Sequence, residues 1–440
     1  MRGQAKTKIK KNLWIALFSL SALFTGQLAA EHWTAYVGSL YTGDAYPVNI
    51  ATNAVGSAIF VGGQSGFSFG PRSIAIAPDG KTAYVVNSFT NSIIPIDVRT
   101  NSEGEPIASF GVELVFIAIT PDGKMAYVVD RGGNSVWPIT LANNSVGDSI
   151  AVGPSPQSIA ISPDGNMAYV TNSVSNTVTP ITLATSSVAF PIPVGLSPQR
   201  IAITPDGKMA YVANSVGNSV TPIILATNTP LAPIAVGGIA RDIAITPDGK
   251  TAYVTVGRES SKSVVIPIDV ATNTFSDVIF AGSTGNGLAI TPDGKTVYVL
   301  NSGPGMITLI DVATNMVSAK IPSIAPVLFP IAITPDQAPT ASFTVKHAHA
   351  GASTNFDASD SSSPVGSIAK YIWNFGDGFS ETTTSPYISH TYSVSGTYKV
   401  KLQVVNTAGT SICRVFTGQT IIRNGGSNAK KAKKIRISEP

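Results

Sequence analysis

Arginine is the residue type in this chain whose placement points most clearly to chemistry, because its planar guanidinium group binds carboxylate, sulfate and phosphate groups through paired hydrogen bonds. Five arginines fall in the loops of a repeated pattern: Arg72, Arg131, Arg200, Arg241 and Arg258. Four asparagines accompany them: Asn87, Asn172, Asn214 and Asn301. Together they indicate a site for an anionic or glycan ligand. Ordinary loop salt bridges are the alternative, with the counter-charges Asp130, Asp242 and Glu259.

Other catalytic and metal-binding patterns are scarce. His347 and His349 could share a strand face, but no further ligands lie beside them, and no calcium-loop pattern surrounds Asp357 and Asp360. The sequence contains no phosphate-binding loop and one cysteine, Cys413. We therefore predict no catalytic residue, no metal, no cofactor and no intrachain disulfide.

An internal repeat places these residues in the fold. A Pro-Asp pair recurs at intervals of 42 to 45 residues, with aspartates at 79, 122, 164, 206, 248, 293 and 336. A Tyr-Val pair recurs as often, with tyrosines at 36, 84, 127, 169, 211, 253 and 298. Each unit contains four short β-rich segments separated by turn residues, which is typical of a β-propeller blade. We predict an all-β chain with a seven-bladed β-propeller over residues 31–336, in which the repeated aspartates are turn residues.

The phase of the repeat predicts how the ring closes. The first unit lacks its Ile-Ala-Ile segment, and an unaccompanied copy of that segment ends the repeats. Residues 330–335 should therefore pair with residues 34–38 and remove the open ends of the array. Loops before each Ile-Ala-Ile strand and after each Tyr-Val strand then share one rim, which carries the arginines and asparagines.

Proline recurs in the third strand of the units, where it cannot donate a ladder hydrogen bond. The positions are Pro47, Pro95, Pro138, Pro180, Pro222 and Pro267, and Leu309 stands at the seventh. Either the outer strand pairs imperfectly at these places or a regular bulge exists.

The segment Ile-Ala-Ile-Thr-Pro-Asp-Gly-Lys-Met-Ala-Tyr-Val-Ala-Asn-Ser at 201–215 resembles the YVTN-type β-propeller repeats of bacterial and archaeal exported and surface-layer proteins. The resemblance covers about residues 33–336. It implies a non-catalytic protein for surface adhesion, scaffolding or ligand binding. The alternative is a lactonase-like propeller hydrolase or lyase with a metal over the central channel.

A second domain follows at residues 338–423. Its Trp-Asn-Phe-Gly-Asp-Gly (373–378), His-Thr-Tyr (390–392) and Gly-Thr-Tyr (396–398) segments resemble those of polycystic-kidney-disease (PKD) domains, which are Ig-like β-sandwiches. The resemblance implies a spacer or protein-contact module outside the cell, and it makes His390 a structural residue.

The excess of basic residues lies at the two ends of the chain. Basic residues followed by twelve apolar residues at 13–24 indicate a signal peptide over 1–30, because a membrane anchor needs about 20 apolar residues. We expect 424–440 to be a disordered basic tail, with weak contact to an anionic surface as the alternative. Residues 31–429 hold 19 basic and 24 acidic residues, a net charge near −5, which argues against nucleic acid as a binding partner.

The expected partners are proteins or polysaccharides in the periplasm, at the cell surface or outside the cell. The oligomeric state stays open.

Overall fold

The computed structural model describes residues 33–62, 70–107, 110–258, 262–275, 277–322, 324–346, 349–363, 367–407, 415–416, 421–424 and 428–439. The expected signal peptide, Glu259, His347 and Cys413 lie outside these ranges. All regular structure in the described ranges is β-strand. Within them there is no helix with the length and apolar character needed to cross a membrane.

Seven sheets form the propeller, one for each blade. The first blade contains β1 (Thr34–Ser39), β2 (Asp44–Asn49), β3 (Ile59–Phe60) and, from the end of the repeats, β31 (Leu328–Ile333). The second contains β4 (Pro71–Ile76), β5 (Thr82–Asn87), β6 (Ser92–Asp97) and β7 (Ser102–Glu103). The third contains β8 (Leu114–Ile119), β9 (Met125–Asp130), β10 (Ser135–Thr140), β11 (Ser145–Val146) and β12 (Ile150–Ala151).

The remaining blades repeat this order. The fourth contains β13 (Pro156–Ile161), β14 (Met167–Asn172), β15 (Thr177–Thr182), β16 (Ser187–Val188) and β17 (Ile192–Pro193). The fifth contains β18 (Pro198–Ile203), β19 (Met209–Asn214), β20 (Ser219–Ile224), β21 (Thr229–Pro230) and β22 (Ile234–Ala235). The sixth contains β23 (Ile239–Ile245), β24 (Thr251–Gly257), β25 (Lys262–Asp269) and β26 (Ile279–Ser283). The seventh contains β27 (Gly285–Ile290), β28 (Thr296–Asn301), β29 (Met306–Asp311) and β30 (Met316–Ile321).

The two ends of the repeat array meet in the first blade. Strand β31 pairs antiparallel with β1, and Tyr36 stands opposite Ala332. The innermost strands contact one another in the order β4, β8, β13, β18, β23, β27 and β31, and β31 in turn contacts β4. The inner wall of the propeller is therefore continuous. The closing strand, Leu328–Ile333, begins two residues before the predicted segment 330–335.

The third-strand prolines divide the outer strands. Each proline stands opposite the repeated tyrosine of its blade, as Pro138 does opposite Tyr127. Strands β11 and β12 pair with the two ends of β10, so that Pro138 is left between them. In the seventh blade Leu309 pairs with Ala319, and β30 is one strand. The outer strands thus pair imperfectly at proline because proline has no N–H group to donate.

The repeated Pro-Asp-Gly segments form tight turns on the face opposite the arginines. At Asp122, Oδ1 accepts hydrogen bonds from Thr120 Oγ1 at 2.6 Å and from the backbone N–H of Lys124 at 3.1 Å. The next residue, Gly123, has a φ of +72°. Six of the seven aspartates are turn residues, as the sequence predicts, and several form exposed ion pairs with the following lysine. For Asp336 the prediction is wrong, because this residue is buried in a two-residue strand, Asp336–Gln337, that pairs with Arg423 and Asn424.

The second domain is a sandwich of two sheets. One sheet contains β33 (Thr344–Lys346), β34 (Ser353–Asp357) and β37 (Tyr387–Thr391). The other contains β35 (Ile368–Asn374), β36 (Ser380–Thr383), β38 (Gly396–Asn406) and β41 (Asn428–Ile437). Aromatic side chains fill the core between the sheets, among them Phe343, Phe356, Trp373 and Phe375. In addition, β32 (Asp336–Gln337) pairs parallel with β40 (Ile421–Asn424), which also pairs with β39 (Val415–Phe416).

The expectation of a disordered tail at 424–440 is wrong. Strand β41 pairs antiparallel with β38 from Asn428 opposite Val405 to Ile437 opposite Gly396. Ile435 and Ile437 are buried in the sandwich core. Side chains of a strand point alternately to its two faces, so Ile435 and Ile437 both lie on the inner face of the sheet. The many basic residues of the segment make this alternation difficult to recognise in the sequence.

Candidate functional site at the channel mouth

A β-bulge at the start of each inner strand shapes the mouth of the central channel. In every blade the register of the inner strand shifts by one residue against its neighbour. Such a bulge redirects one side chain. The bulged residues are Arg72, Val115, Gln157, Gln199, Arg241, Asn286 and Phe329, and all of them line one cavity of about 370 Å³. The cavity is also lined by Leu40, Arg131, Arg200, Ser215 and Ile239.

Arg200 extends across the channel. Its Cζ atom lies 4.6 Å from the ring centroid of Phe116 and 5.1 Å from that of Phe329. Its Nε atom lies 3.8 Å from Oδ1 of Asp242, and the two side chains are 11% and 14% exposed. Nη1 donates to the carbonyl oxygen of Gln157 at 3.3 Å. Contacts with four other blades therefore fix this cation in place, and cation–π attraction adds to the ion pair.

Asp242 is held on both of its oxygens. The backbone N–H groups of Ile243 and Leu288 donate to Oδ1 and Oδ2, each at 2.9 Å. Burial raises the pKa of Asp242, while Arg200 and these N–H groups act in the opposite direction. Burial also lowers the pKa of Arg200, and Asp242 opposes that change. Arg200 stays protonated, as arginine does in proteins, and its attraction to Asp242 anchors the channel wall.

Arg131 is neutralised by a neighbour in the same blade. Its Nε atom donates to Oε2 of Glu113 at 2.7 Å, and Nη2 donates to Oε1 of the same carboxylate. The predicted counter-charge Asp130 instead accepts hydrogen bonds from the backbone N–H groups of Val112, Glu113 and Gly133. Asp130 is buried and secures the loops, whereas Glu113 carries the balancing charge.

Arg72 and Arg241 have no carboxylate partner among the described residues. Among the described residues, the ion pairs do not include either of them. The Nε atom of Arg72 is buried and has no hydrogen-bond partner within the described part of the chain. Burial lowers the pKa of Arg72, nearby Arg131 lowers it further, and Glu113 opposes both. Within the described residues, the cavity therefore presents two positive charges that no carboxylate balances.

The structure separates the predicted site residues into two groups. Arg72, Arg131, Arg200 and Arg241 come together at the cavity, whereas exposed Arg258 does not line it. The asparagines Asn87, Asn172, Asn214 and Asn301 are fully buried. Their amide groups hydrogen-bond inside the blades, as in the donation from Asn172 to Thr179 Oγ1 at 2.8 Å. The prediction that these four residues contact a ligand directly is wrong. The repeat pattern shows at which rim each asparagine lies, but it does not show in which direction its side chain points.

The amide residues of the mouth were missed. Gln157, Gln199 and Asn286 occupy the same repeat position as Arg72, two residues before the Ile-Ala-Ile-like segment. Aligning the repeats on that segment could have found them. Amide groups both donate and accept hydrogen bonds, so they complement the hydroxyl groups of a ligand.

The two described histidines, His349 and His390, do not line this cavity. Nε2 of His390 lies 2.6 Å from Oδ2 of Asp377, and its ring stacks on Phe375 at 4.1 Å inside the second domain. Nδ1 of His349 lies 3.0 Å from the carbonyl oxygen of Ala350. In the described parts of the chain, no three His, Cys, Asp or Glu side chains are grouped closely enough to hold a metal ion.

Comparison with known families identifies both domains. A model of the seven-bladed β-propeller lactonase family matches residues 46–190, and a model of the PKD domain matches residues 336–421. Among curated proteins, a microbial collagenase of Vibrio alginolyticus is 36% identical over 67 residues. That match covers 15% of this chain and 8% of the collagenase.

Solved structures share the fold. Hydrazine synthase of Kuenenia stuttgartiensis is 25% identical, with a TM-score of 0.53 over 57% of this chain and 86% of that one. A periplasmic gluconolactonase of Pseudomonas aeruginosa is 17% identical, with a TM-score of 0.57 over 69% of this chain and 99% of that one. The predicted fold class is confirmed: the chain is a seven-bladed β-propeller followed by a PKD domain.

Proposed function

We propose that the channel mouth binds a small organic anion through Arg72 and Arg241. The observation that carries the proposal is the pair of guanidinium groups without a carboxylate partner among the described residues, both placed by β-bulges at one cavity. Arginine pairs with carboxylate and phosphate groups through two parallel hydrogen bonds. A cavity of about 370 Å³ is of the size that takes small-molecule ligands.

The neighbouring side chains favour a ligand that also carries hydroxyl groups. Gln157, Gln199 and Asn286 stand at the same level of the mouth as the two arginines. The deeper Arg200 is already engaged with Asp242 and two aromatic rings, so it closes the floor instead of adding a free charge. Sugar acids combine one anionic group with several hydroxyl groups, and they are the ligand class that we propose.

Calorimetry with matched probes tests this function. D-Gluconate and D-glucarate should bind to the full chain, whereas the uncharged polyol D-glucitol should not. Arg72→Gln and Arg241→Gln should each weaken D-glucarate binding by at least about tenfold, which corresponds to the loss of a charged hydrogen bond. Arg99→Gln is the matched control, because Arg99 is exposed in a turn on the opposite face. Equal binding of the acids and glucitol, or unchanged binding by both variants, would contradict the proposal.

Hydrolysis of a sugar lactone is a second candidate. The lactonase-family match at residues 46–190 supports it. In that reaction water adds to the carbonyl carbon, the ring C–O bond breaks, and the ring oxygen takes up a proton. Arg72 and Arg241 would stabilise the negative charge that develops on the carbonyl oxygen. The carboxylates Glu113 and Asp242 are both engaged, so neither of these two described residues is a free base for the water.

Lactone hydrolysis can be measured separately from binding. Acid release from D-glucono-δ-lactone, followed by titration at constant pH, should exceed the spontaneous rate and fall in the Arg72→Gln variant. If the lactone hydrolysed no faster with the protein than without it, while gluconate bound measurably, hydrolysis would be rejected and anion binding would remain the proposed function.

We also propose that the protein acts outside the cytoplasm, where proteins or polysaccharides are its partners. The PKD domain and the partial match to a microbial collagenase support this location. Cell fractionation combined with protease accessibility tests it, and recovery of the intact full-length chain in the cytoplasm would contradict it.

A further inference from the structure

Arg72 and Arg241 lie on widely separated blades. Arg72 belongs to β4 of the second blade, and Arg241 belongs to β23 of the sixth. Around the ring, the first and seventh blades separate them on one side and the third, fourth and fifth on the other. The two positive charges therefore face the cavity from opposite sides of the mouth.

Different groups occupy the arcs between these charges. Asn286 and Phe329 stand on the shorter arc, and Val115, Gln157 and Gln199 stand on the longer one. Three amide groups can hydrogen-bond to hydroxyl groups, while the aromatic ring and the valine can pack on the carbon–hydrogen faces of a ligand. The mouth thus has a positive charge at each end and neutral hydrogen-bonding groups between them.

A ligand with one anionic group leaves one of these charges without a partner. When an organic ligand covers the mouth, it removes water from both guanidinium groups, and an uncompensated buried charge is costly. A ligand with an anionic group at each end balances both charges and extends between the two arcs. Its central part meets the amide side chains.

We propose that the channel mouth takes a polyhydroxylated diacid of the aldaric type, with one carboxylate on Arg72 and the other on Arg241. The inference rests on the proposed function, because it assigns the ligand class of the same cavity. It adds that two anionic groups, placed at opposite ends of the ligand, are required for tight binding.

Three six-carbon probes separate the contributions. D-Glucarate carries two carboxylates and hydroxyl groups, D-gluconate has one carboxylate with hydroxyl groups, and adipate has two carboxylates without hydroxyl groups. Titration calorimetry on the full chain should show that glucarate binds at least about tenfold more tightly than either of the others. Low ionic strength should be used throughout, because salt screens the charged contacts.

Variants then assign each carboxylate. Arg72→Gln and Arg241→Gln should each reduce glucarate binding to about the level of gluconate in the unaltered protein. The double variant should lose glucarate binding. The Arg99→Gln control should leave all three affinities unchanged, and thermal unfolding of each variant checks that it is folded.

The outcomes distinguish this inference from the proposed function. Equal affinities for glucarate and gluconate, both weakened by one of the two arginine variants, would overturn the diacid while leaving the anion site. If none of the acids bound, or if binding were insensitive to both arginine variants, the diacid and the anion site would both be overturned.

Discussion

The hydroxyl group of Tyr298 donates a hydrogen bond to Oδ1 of Asn53 over 3.0 Å, although the two residues are 245 positions apart. The bond joins the seventh blade to the first. Equivalent bonds link Tyr36 to Asn101 at 2.6 Å and Tyr253 to Asn315 at 2.7 Å. In each case a tyrosine of one blade holds an asparagine turn of the next blade.

Substitutions should show that Tyr298 and Asn53 are energetically coupled, and that their hydrogen bond stabilises the closed ring. Tyr298→Phe should cost about 1 kcal/mol of unfolding free energy, the net value of a typical hydrogen bond. Asn53→Gly keeps the positive φ of 56° and should cost a similar amount. Because both variants remove the same bond, the double variant should cost less than their sum. Urea unfolding measures these values, and strictly additive costs would contradict the coupling.

The same tyrosines should make the propeller sensitive to alkaline pH. Burial, followed by nearby aspartates, raises the pKa of Tyr211, Tyr253 and Tyr298 from 10.0 to about 12. Since the folded state holds these protons more tightly, their contribution is complete below pH 10 and is lost as pH rises toward 12. Urea unfolding across this range should show the loss. The triple Tyr→Phe variant should flatten the dependence, whereas Tyr41→Phe, at an exposed loop position, should not.

The repeat unit carries enough information to predict the fold. Its period fixed the number of blades, and its phase indicated that the last strand joins the first sheet. Strand alternation also brought Arg72, Arg131, Arg200 and Arg241 to one face. These features depend on hydrophobic periodicity and on turn residues, both of which are local in sequence.

The details of the mouth depend on geometry that periodicity does not encode. A one-residue bulge turns Gln157 and Gln199 into the cavity, yet it leaves the spacing of the repeat unchanged. Asn172 lies in the expected strand end but turns inward to Thr179. The pairing of Arg200 with Asp242 joins two blades, so it follows from tertiary packing alone.

Arg200 should prove more important for stability than for affinity. Arg200→Met would leave the buried carboxylate of Asp242 without its cation, and breaking such a pair typically costs about 3 to 5 kcal/mol. The double variant with Asp242→Asn should recover part of that cost, because the buried negative charge is removed as well. Urea unfolding measures both, with Arg99→Met as the exposed control. A cost below about 1 kcal/mol for Arg200→Met would show that the pair is not structurally important.

The last strand should be essential to the PKD domain despite its basic composition. Ile435 and Ile437 are buried in the sandwich core, so replacing each by alanine should cost about 2 to 5 kcal/mol. The exposed Lys430 and Lys434 are the matched control, and their replacement by glutamine should change stability by less than about 0.5 kcal/mol. Thermal unfolding of the full chain, followed by differential scanning calorimetry, measures the effect of each variant. If the isoleucine variants unfolded at the same temperature as the lysine variants, the segment would contribute no packing energy and strand β41 would not be part of the sandwich.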